Sequence, residues 1–351
     1  MDKPTSDIIV PVWNRPVETR NCLVNLIEHS PDARLIIVDN GSDRETERML
    51  EEFAEILDQK AILLRNNINQ GYVRAVNRGL ARAESDYIAI VRNTSIVTSS
   101  WLEPLTRFAA NRSDAGIFVP RLVRATEWKP GGKKHPDTTI MEADRGSLSA
   151  MLITRRAYDM IGGIDEELAG GVWCLRDLSR RAYRRGLSTF RVLESVVVFE
   201  DDVPLGSVER RNMALQRSIE LYGKRWGEPR SFCIHFPKGA DMDMLRQRLD
   251  VVLLGARQGH FFSLITHSQL FNEAAKAGLQ SLHENVHFVR IPMFSESRAI
   301  EKALKPGNPD FPDAEPVAAI DGIPFTPGIK GLPFALLQQI IIKTSKEIYG
   351  G

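Results

Sequence analysis

Cysteine is scarce in this chain. Cys22, Cys174 and Cys233 stand far apart and lack the spacing of a metal-ligand set. That excludes a disulfide scaffold and points to a reducing compartment. Charge of one sign is also lacking: 46 basic and 45 acidic residues leave a formal net charge of +1, so a broadly basic nucleic-acid-binding face is not expected. No apolar run approaches the roughly 20 residues of a membrane span. The start, Met-Asp-Lys-Pro, has no apolar core of the signal-peptide kind and reads as cytoplasmic. No Gly-x-Gly-x-x-Gly fingerprint follows the first strand, which argues against a dinucleotide-dependent oxidoreductase.

What is present is a repeated strand–helix pattern. Asp7-Ile-Ile-Val-Pro-Val-Trp-Asn-Arg-Pro16 and Leu35-Ile-Ile-Val-Asp-Asn-Gly-Ser42 are apolar runs that end in polar residues. Between them Val17, Cys22, Leu23, Leu26 and Ile27 recur at helical spacing. This unit brings the tips carrying Asn14 and Asp39 to one sheet edge, where open α/β sheets bind ligands. Ala61–Leu64 and Tyr87–Val91 read as a third and fourth strand, and Ser42-Asp-Arg-Glu45 has a capping-box pattern. Further on, Gly116–Val119, Ser147–Thr154 and Val196–Phe199 read as strands, with helices over about 155–161, 176–185 and 207–222. The stretch 121–144, with Lys129-Pro-Gly-Gly-Lys-Lys-His-Pro136, reads as a loop over a cleft.

At this point the chain resembles the family 2, GT-A type nucleotide-sugar glycosyltransferases. The resemblance rests on Ile9–Pro16, Val38-Asp-Asn-Gly-Ser42, Asn69-Gln-Gly71 with Asn77 and Gly79, Trp101-Leu-Glu-Pro104, Gly162-Gly-Ile-Asp-Glu166 and Asp177-Leu178, in the family's order over roughly two-thirds of the chain. It implies a Rossmann-like mixed sheet flanked by helices in residues 1–227. Residues 228–351 are expected to form a smaller C-terminal α/β domain. It further implies sugar transfer from a nucleotide-sugar, a UDP-sugar first, to a saccharide, lipid-linked or protein acceptor, as in polysaccharide assembly. A homo-oligomer is compatible with it.

The resemblance assigns nucleotide contacts to Pro11, Val12, Trp13, Asn14, Asp39, Gly71, Arg92, Asn93 and Thr94. Asp39 would accept a pyrimidine N–H; it would equally serve as a turn cap for the following helix. Two carboxylates, Asp165 and Asp177, are the catalytic candidates, and each has a helix-capping alternative. The family's metal-binding acidic residues past the fourth strand are replaced here by Asn93 and Thr94, beside Arg92. Where a metal-binding histidine is expected, Phe199-Glu200-Asp201-Asp202 stands instead; Glu200, Asp201 or Asp202 could replace a ligand, or the three form an acidic loop. Hard dications require carboxylate charge, so no metal ligand is assigned and Mg or Mn has little support. Arg92 with Lys133 and Lys134 offers a cationic substitute. The usual Glu-Asp pair before Asp177 is Cys174-Leu175. These changes leave open a catalytically inactive protein that keeps the fold to bind a glycan, a nucleotide or a partner. The basic run Arg176, Arg180, Arg181, Arg184 and Arg185 reads as a solvated helix face or as a contact for an acidic acceptor.

Beyond residue 228 the expected elements are a strand at Val251–Leu254, a structural turn at Gly255–His260 and an amphipathic helix ending at Ala277-Gly278. A strand at His287–Ile291, a helix over 295–304, a loop over 306–316, a strand at Val317–Ile320 and a helix over 336–348 complete it.

Overall fold

A computed structural model of the chain describes residues 6–129, 139–200, 207–291, 296–305 and 313–350. Lys133, Lys134, Asp201, Asp202 and most of the 306–316 loop lie outside the described residues. Two compact units form: one from residues up to Ile140 with Arg145–Glu220, the other from Met141–Asp144 with Leu221 onward.

The first unit begins with β1 (Ser6–Val12), α1 (Pro16–His29), β2 (Arg34–Asp39), α2 (Arg44–Leu57), β3 (Ala61–Arg65), α3 (Tyr72–Leu80) and β4 (Tyr87–Val91). It continues through β5 (Ile96–Val97), α4 (Leu102–Ala110), β6 (Ala115–Arg124), β7 (Ile140–Glu142), β8 (Ala150–Thr154), α5 (Arg155–Ile161), α6 (Trp173–Arg184), β9 (Ser188–Phe199) and α7 (Val208–Trp226). The last helix and β7 run across the boundary between the units. The main strand order is β3-β2-β1-β4-β8-β6-β9-β5. β1 to β4 are parallel, β8 is antiparallel to β4, and β5 is antiparallel to β9. This is the mixed sheet expected.

Every residue of β1 is buried, which is why it reads as a continuous apolar run rather than an alternating one. Its pairing with β4 stops at Ile9↔Ile90, while pairing with β2 continues to Val12↔Asp39. Pro11 lies past the β4 pairing, where a missing N–H is tolerated. The two strands part there, and the crevice that opens is the switch point at which the strand order reverses.

Helix α3 is pressed onto β1 through Gly79. A Cβ at that position would lie 2.4 Å from Ile9 Cγ2, itself fully buried. Gly79→Ala is therefore expected to destabilise the fold by about 1–3 kcal/mol, the usual cost of overpacking, as a lowered urea midpoint with an unchanged slope.

Buried Asp7 anchors the amino end of β1. Its carboxylate accepts from Arg34 Nε at 2.8 Å and Nη2 at 3.1 Å, and from the backbone N–H groups of Glu84 and Ser85. Burial alone pushes the carboxyl up. The Arg34 and backbone hydrogen bonds together outweigh that and hold its pKa below the ordinary carboxylate value.

The second unit holds β10 (Ser231–His235), α8 (Met242–Arg257), β11 (Phe261–Thr266), α9 (Ser268–Lys276), β12 (Val286–Arg290), α10 (Glu296–Leu304), β13 (Glu315–Ala318), β14 (Leu332–Pro333) and α11 (Phe334–Thr344). Its five strands are all parallel, in the order β12-β11-β10-β13-β14. Three expectations are corrected here. Val251–Leu254 is not a strand but the middle of α8, whose buried residues Leu245, Leu249, Val252 and Ala256 follow helical spacing. Phe261–Thr266 is a strand, not the start of a helix. Gly255 lies inside α8, where a Cβ would meet Phe262 at 2.7 Å and Ile341 at 2.9 Å. Close helix–sheet packing, not a turn, requires that glycine.

Candidate functional site

A cavity of about 660 Å³ occupies the switch point. Pro11, Val12, Trp13, Asn14 and Arg15 line it from the end of β1; Asn40 from β2; Asn69, Gly71 and Tyr72 from the entry to α3; Arg92, Asn93 and Thr94 from the end of β4; and Leu148. All the residues assigned to the nucleotide are therefore brought together except Asp39.

The β1–α1 connection is held in an uncommon conformation. Asn14 and Arg15 both have left-handed backbones, with φ 56° and 59°. Asparagine tolerates that region; arginine does so at a cost of roughly 1 kcal/mol or more. A set of bonds fixes it. The Asn14 N–H donates to Ser42 Oγ at 3.0 Å, Asn14 Oδ1 accepts the Asp43 N–H at 2.8 Å, and Thr19 Oγ1 donates to the Asn14 carbonyl at 3.3 Å. Ser42 is thus spent on this loop, and Asp43 rather than Ser42 caps α2, accepting the Thr46 N–H.

Asp39 is 3% exposed. Its Oδ1 accepts the Ser42 N–H at 3.0 Å, the turn-capping role weighed from sequence. Its Oδ2 accepts no hydrogen bond among the described residues. The neighbouring Asn40 faces the cavity and ties down the loop into α3: it donates to Asn69 Oδ1 and accepts from Asn66 and the Gln70 N–H. Gly41 makes the turn possible. Its φ is +75°, and a Cβ there would come within 2.6 Å of the Ile68 backbone.

The charge on the cavity lining is cationic. Arg92 and Arg15 are its two charged lining residues among those described. Arg92 stacks over the Tyr72 ring at 5.2 Å, and the Tyr72 hydroxyl donates to the Leu148 carbonyl at 2.8 Å. Arg15 and Gly71 are the N-cap positions of α1 and α3, so two helix N-termini with their partial positive charge border the same space. The divalent cation implied by the family does not fit these residues. Asn93 and Thr94 present neutral oxygens, the Asn93 amide is turned to Thr19 Oγ1 at 2.8 Å, and no cluster of three His, Cys, Asp or Glu residues occurs among the described residues.

Asp177 and Asp165 do not line the cavity. Asp177 is fully buried and accepts from Arg181 Nε at 2.7 Å; Arg181 also donates to the carbonyls of Ile161 and Gly163. Asn77 grips the same turn, exchanging hydrogen bonds with the N–H and carbonyl of Ile164 at 2.8 Å each. A Cβ on Gly163 would lie 2.6 Å from Asn77 Oδ1. These staples fix the Gly162-Gly163-Ile164-Asp165 turn, where half-buried Asp165 accepts the Glu167 N–H. At the position of the usual base pair, burial raises the Cys174 thiol to about 11. It stays protonated at neutral pH and is no base. Arg176 and Arg180 are 1% and 2% exposed, so the α6 arginines do not form a solvated face as a set.

Sequence reasoning passed over Arg15, Asn40, Asn69, Tyr72 and Leu148 as lining residues. The first four sit inside or beside the quoted motifs. Leu148 is delivered by topology, and nothing local marks it.

Residues 7–164 match the family model described as glycosyl transferase family 2. EpsH of Bacillus subtilis (strain 168), a glycosyltransferase by name, is 27% identical over 118 residues, 33% of this chain and 34% of its own length. An uncharacterized glycosyltransferase of Haemophilus influenzae is 29% identical over 111 residues, 31% of this chain and 43% of that one. The chain thus spans about a third to two-fifths of the curated relatives it matches. Among solved structures, GalNAc-T7 with UDP, GalNAc and Mn2+ shares the fold at a TM-score of 0.52 and 15% identity, over 64% of this chain and 50% of that one. By its mixed sheet and switch-point cleft the first unit has a GT-A fold, and residues 7–164 within it are similar to glycosyl transferase family 2.

Proposed function

We propose that the first unit binds a nucleotide-sugar, a UDP-sugar first, and transfers its sugar to a saccharide, lipid-linked or protein acceptor without a bound dication. The observation that carries this is the switch-point cavity lined by Arg92, Arg15 and two helix N-termini, with no acidic lining residue among the described residues. When the bond from anomeric carbon to diphosphate breaks, negative charge accumulates on the leaving group. Fixed cations and N–H dipoles at that position stabilise the charge more in the transition state than in the ground state.

In this reading the base lies against Pro11–Trp13, and Asp39, which stands behind the lining between its strand partner Val12 and its neighbour Asn40, turns Oδ2 to the base N–H while Oδ1 remains tied to Ser42. Of the two candidate carboxylates, Asp165 retains the exposure that a general base on the acceptor hydroxyl needs. Asp177 is the anchor that holds the turn carrying it. A cytoplasmic site of action and a place in polysaccharide assembly accord with this reading.

The test is thermal stability of the chain titrated with UDP, GDP and their sugars. A ligand of the folded state raises Tm by mass action. UDP is expected to raise Tm, and Asp39→Ala to remove most of that rise while leaving the unliganded Tm within a few degrees. An undiminished rise in Asp39→Ala removes Asp39 from the base contact. Binding without turnover of any nucleotide-sugar favours the alternative, a non-catalytic binding module.

A further inference from the structure

We propose that Tyr72 is a positioning residue: its ring holds the Arg92 guanidinium over the cavity, so that the site distinguishes a nucleoside diphosphate from the bare nucleoside. The proposal rests on the nucleotide reading of the cleft and deepens it.

An arginine on a loop tip explores many rotamers, and a cationic clamp is only useful if its guanidinium is already in place. Here the positioning elements are all local. Arg92 follows directly on β4, and its backbone is fixed on both sides: its N–H donates to the Ser149 carbonyl at 3.0 Å, and its carbonyl accepts from Cys22 Sγ at 3.5 Å. The side chain then passes over the half-buried Tyr72 ring, 5.2 Å from its centroid. The ring is fixed in turn. Tyr72 is the first residue of α3, set by Gly71 at φ 93°, and its hydroxyl is anchored on the Leu148 carbonyl. Both side chains line the cavity. Stacking uses only the face of a guanidinium, so its in-plane N–H groups can exchange their partners for two phosphate oxygens without leaving the ring. Thr94 and Asn93 supply no charge at this end, so the Tyr72–Arg92 pair bears on the diphosphate and not on the nucleoside.

The experiment is calorimetric titration of the full chain with UDP and with uridine, in EDTA, for wild type, Tyr72→Leu, Tyr72→Phe, Arg92→Ala and the Tyr72→Leu/Arg92→Ala double variant. Tyr72→Leu is expected to weaken UDP about tenfold, the scale of a desolvated cation–π contact, with uridine unchanged. It should add nothing in the Arg92→Ala background. Tyr72→Phe, which removes one hydroxyl and no packing, is expected to weaken UDP about threefold, again sparing uridine. Equal weakening of UDP and uridine in either variant, or full additivity with Arg92→Ala, overturns the positioning role while leaving the cleft's nucleotide reading intact. A wild-type chain that binds neither UDP nor uridine overturns both.

Discussion

Asp7→Ala is expected to cost the first unit about 3–5 kcal/mol, the range for removing one partner of a buried, hydrogen-bonded ion pair. The side chain is wholly buried and receives four donors, two from Arg34 and two from the backbone at Glu84 and Ser85. Deleting it leaves a guanidinium that is only 16% exposed with the exposed Glu84 as its remaining carboxylate. It also strands two N–H groups at the start of β4, next to the central strand pair. The same geometry fixes a pH signature. Because the carboxyl pKa is lower in the folded chain than the ordinary value, the ionised form favours folding. That contribution is complete above the unfolded pKa of about 4 and is lost as pH falls through the lower folded value. Urea titrations of wild type and Asp7→Asn should therefore differ most near pH 6–7 and converge as pH drops below about 4. Parallel curves down to pH 3 would mean that Asp7 contributes no ionic stabilisation.

Arg92→Ala is expected to weaken UDP by about 10- to 100-fold, from the loss of charge-assisted hydrogen bonds worth about 1.5–3 kcal/mol. The loss in kcat with a nucleotide-sugar should be larger than the loss in affinity for it, by about 10²–10³, since charge on the leaving diphosphate peaks in the transition state. Arg92→Lys should recover only part of this. A lysine keeps the charge but lacks the planar fork and the stacking on Tyr72. Unfolding of the chain is not expected, because Arg92 is held through its backbone and its side chain belongs to the cavity wall. An Arg92→Ala enzyme with unaltered kcat and UDP affinity would remove the cationic clamp from the mechanism.

The first unit was largely legible because its central parallel strands β1, β2 and β4 are buried on both faces and so appear as unbroken apolar runs that end in polar residues. Those polar tips are the cavity. What local sequence did not show is which polar group points where. Asp39 and Asn40 are adjacent, yet the first turns into its own cap and the second faces the cavity, a matter of strand direction at the last residue of β2. Asp177 looked like chemistry because a carboxylate at a helix start has that pattern. Its burial against Arg181 depends on the distant turn at 161–165, to whose carbonyls Arg181 also donates. In the second unit, Val251–Leu254 failed for a general reason: four consecutive apolar residues do not separate a strand from the buried face of a helix. β9 was recognised only at its end, because its register with β6 jumps from Pro120↔Val192 to Arg121↔Val196 and so breaks the alternation a strand normally shows.

The central claim is that arginines and helix ends take the place of a dication at the diphosphate. Its most direct test is the affinity of the wild-type chain for UDP, titrated once in EDTA and once in saturating manganese. The two dissociation constants are expected to agree within about threefold, and binding should weaken as salt rises, as contacts between fixed cations and phosphate do. A hundredfold gain with manganese would contradict the account, since it would require a carboxylate-bearing metal site in a cavity whose lining carries none among the described residues.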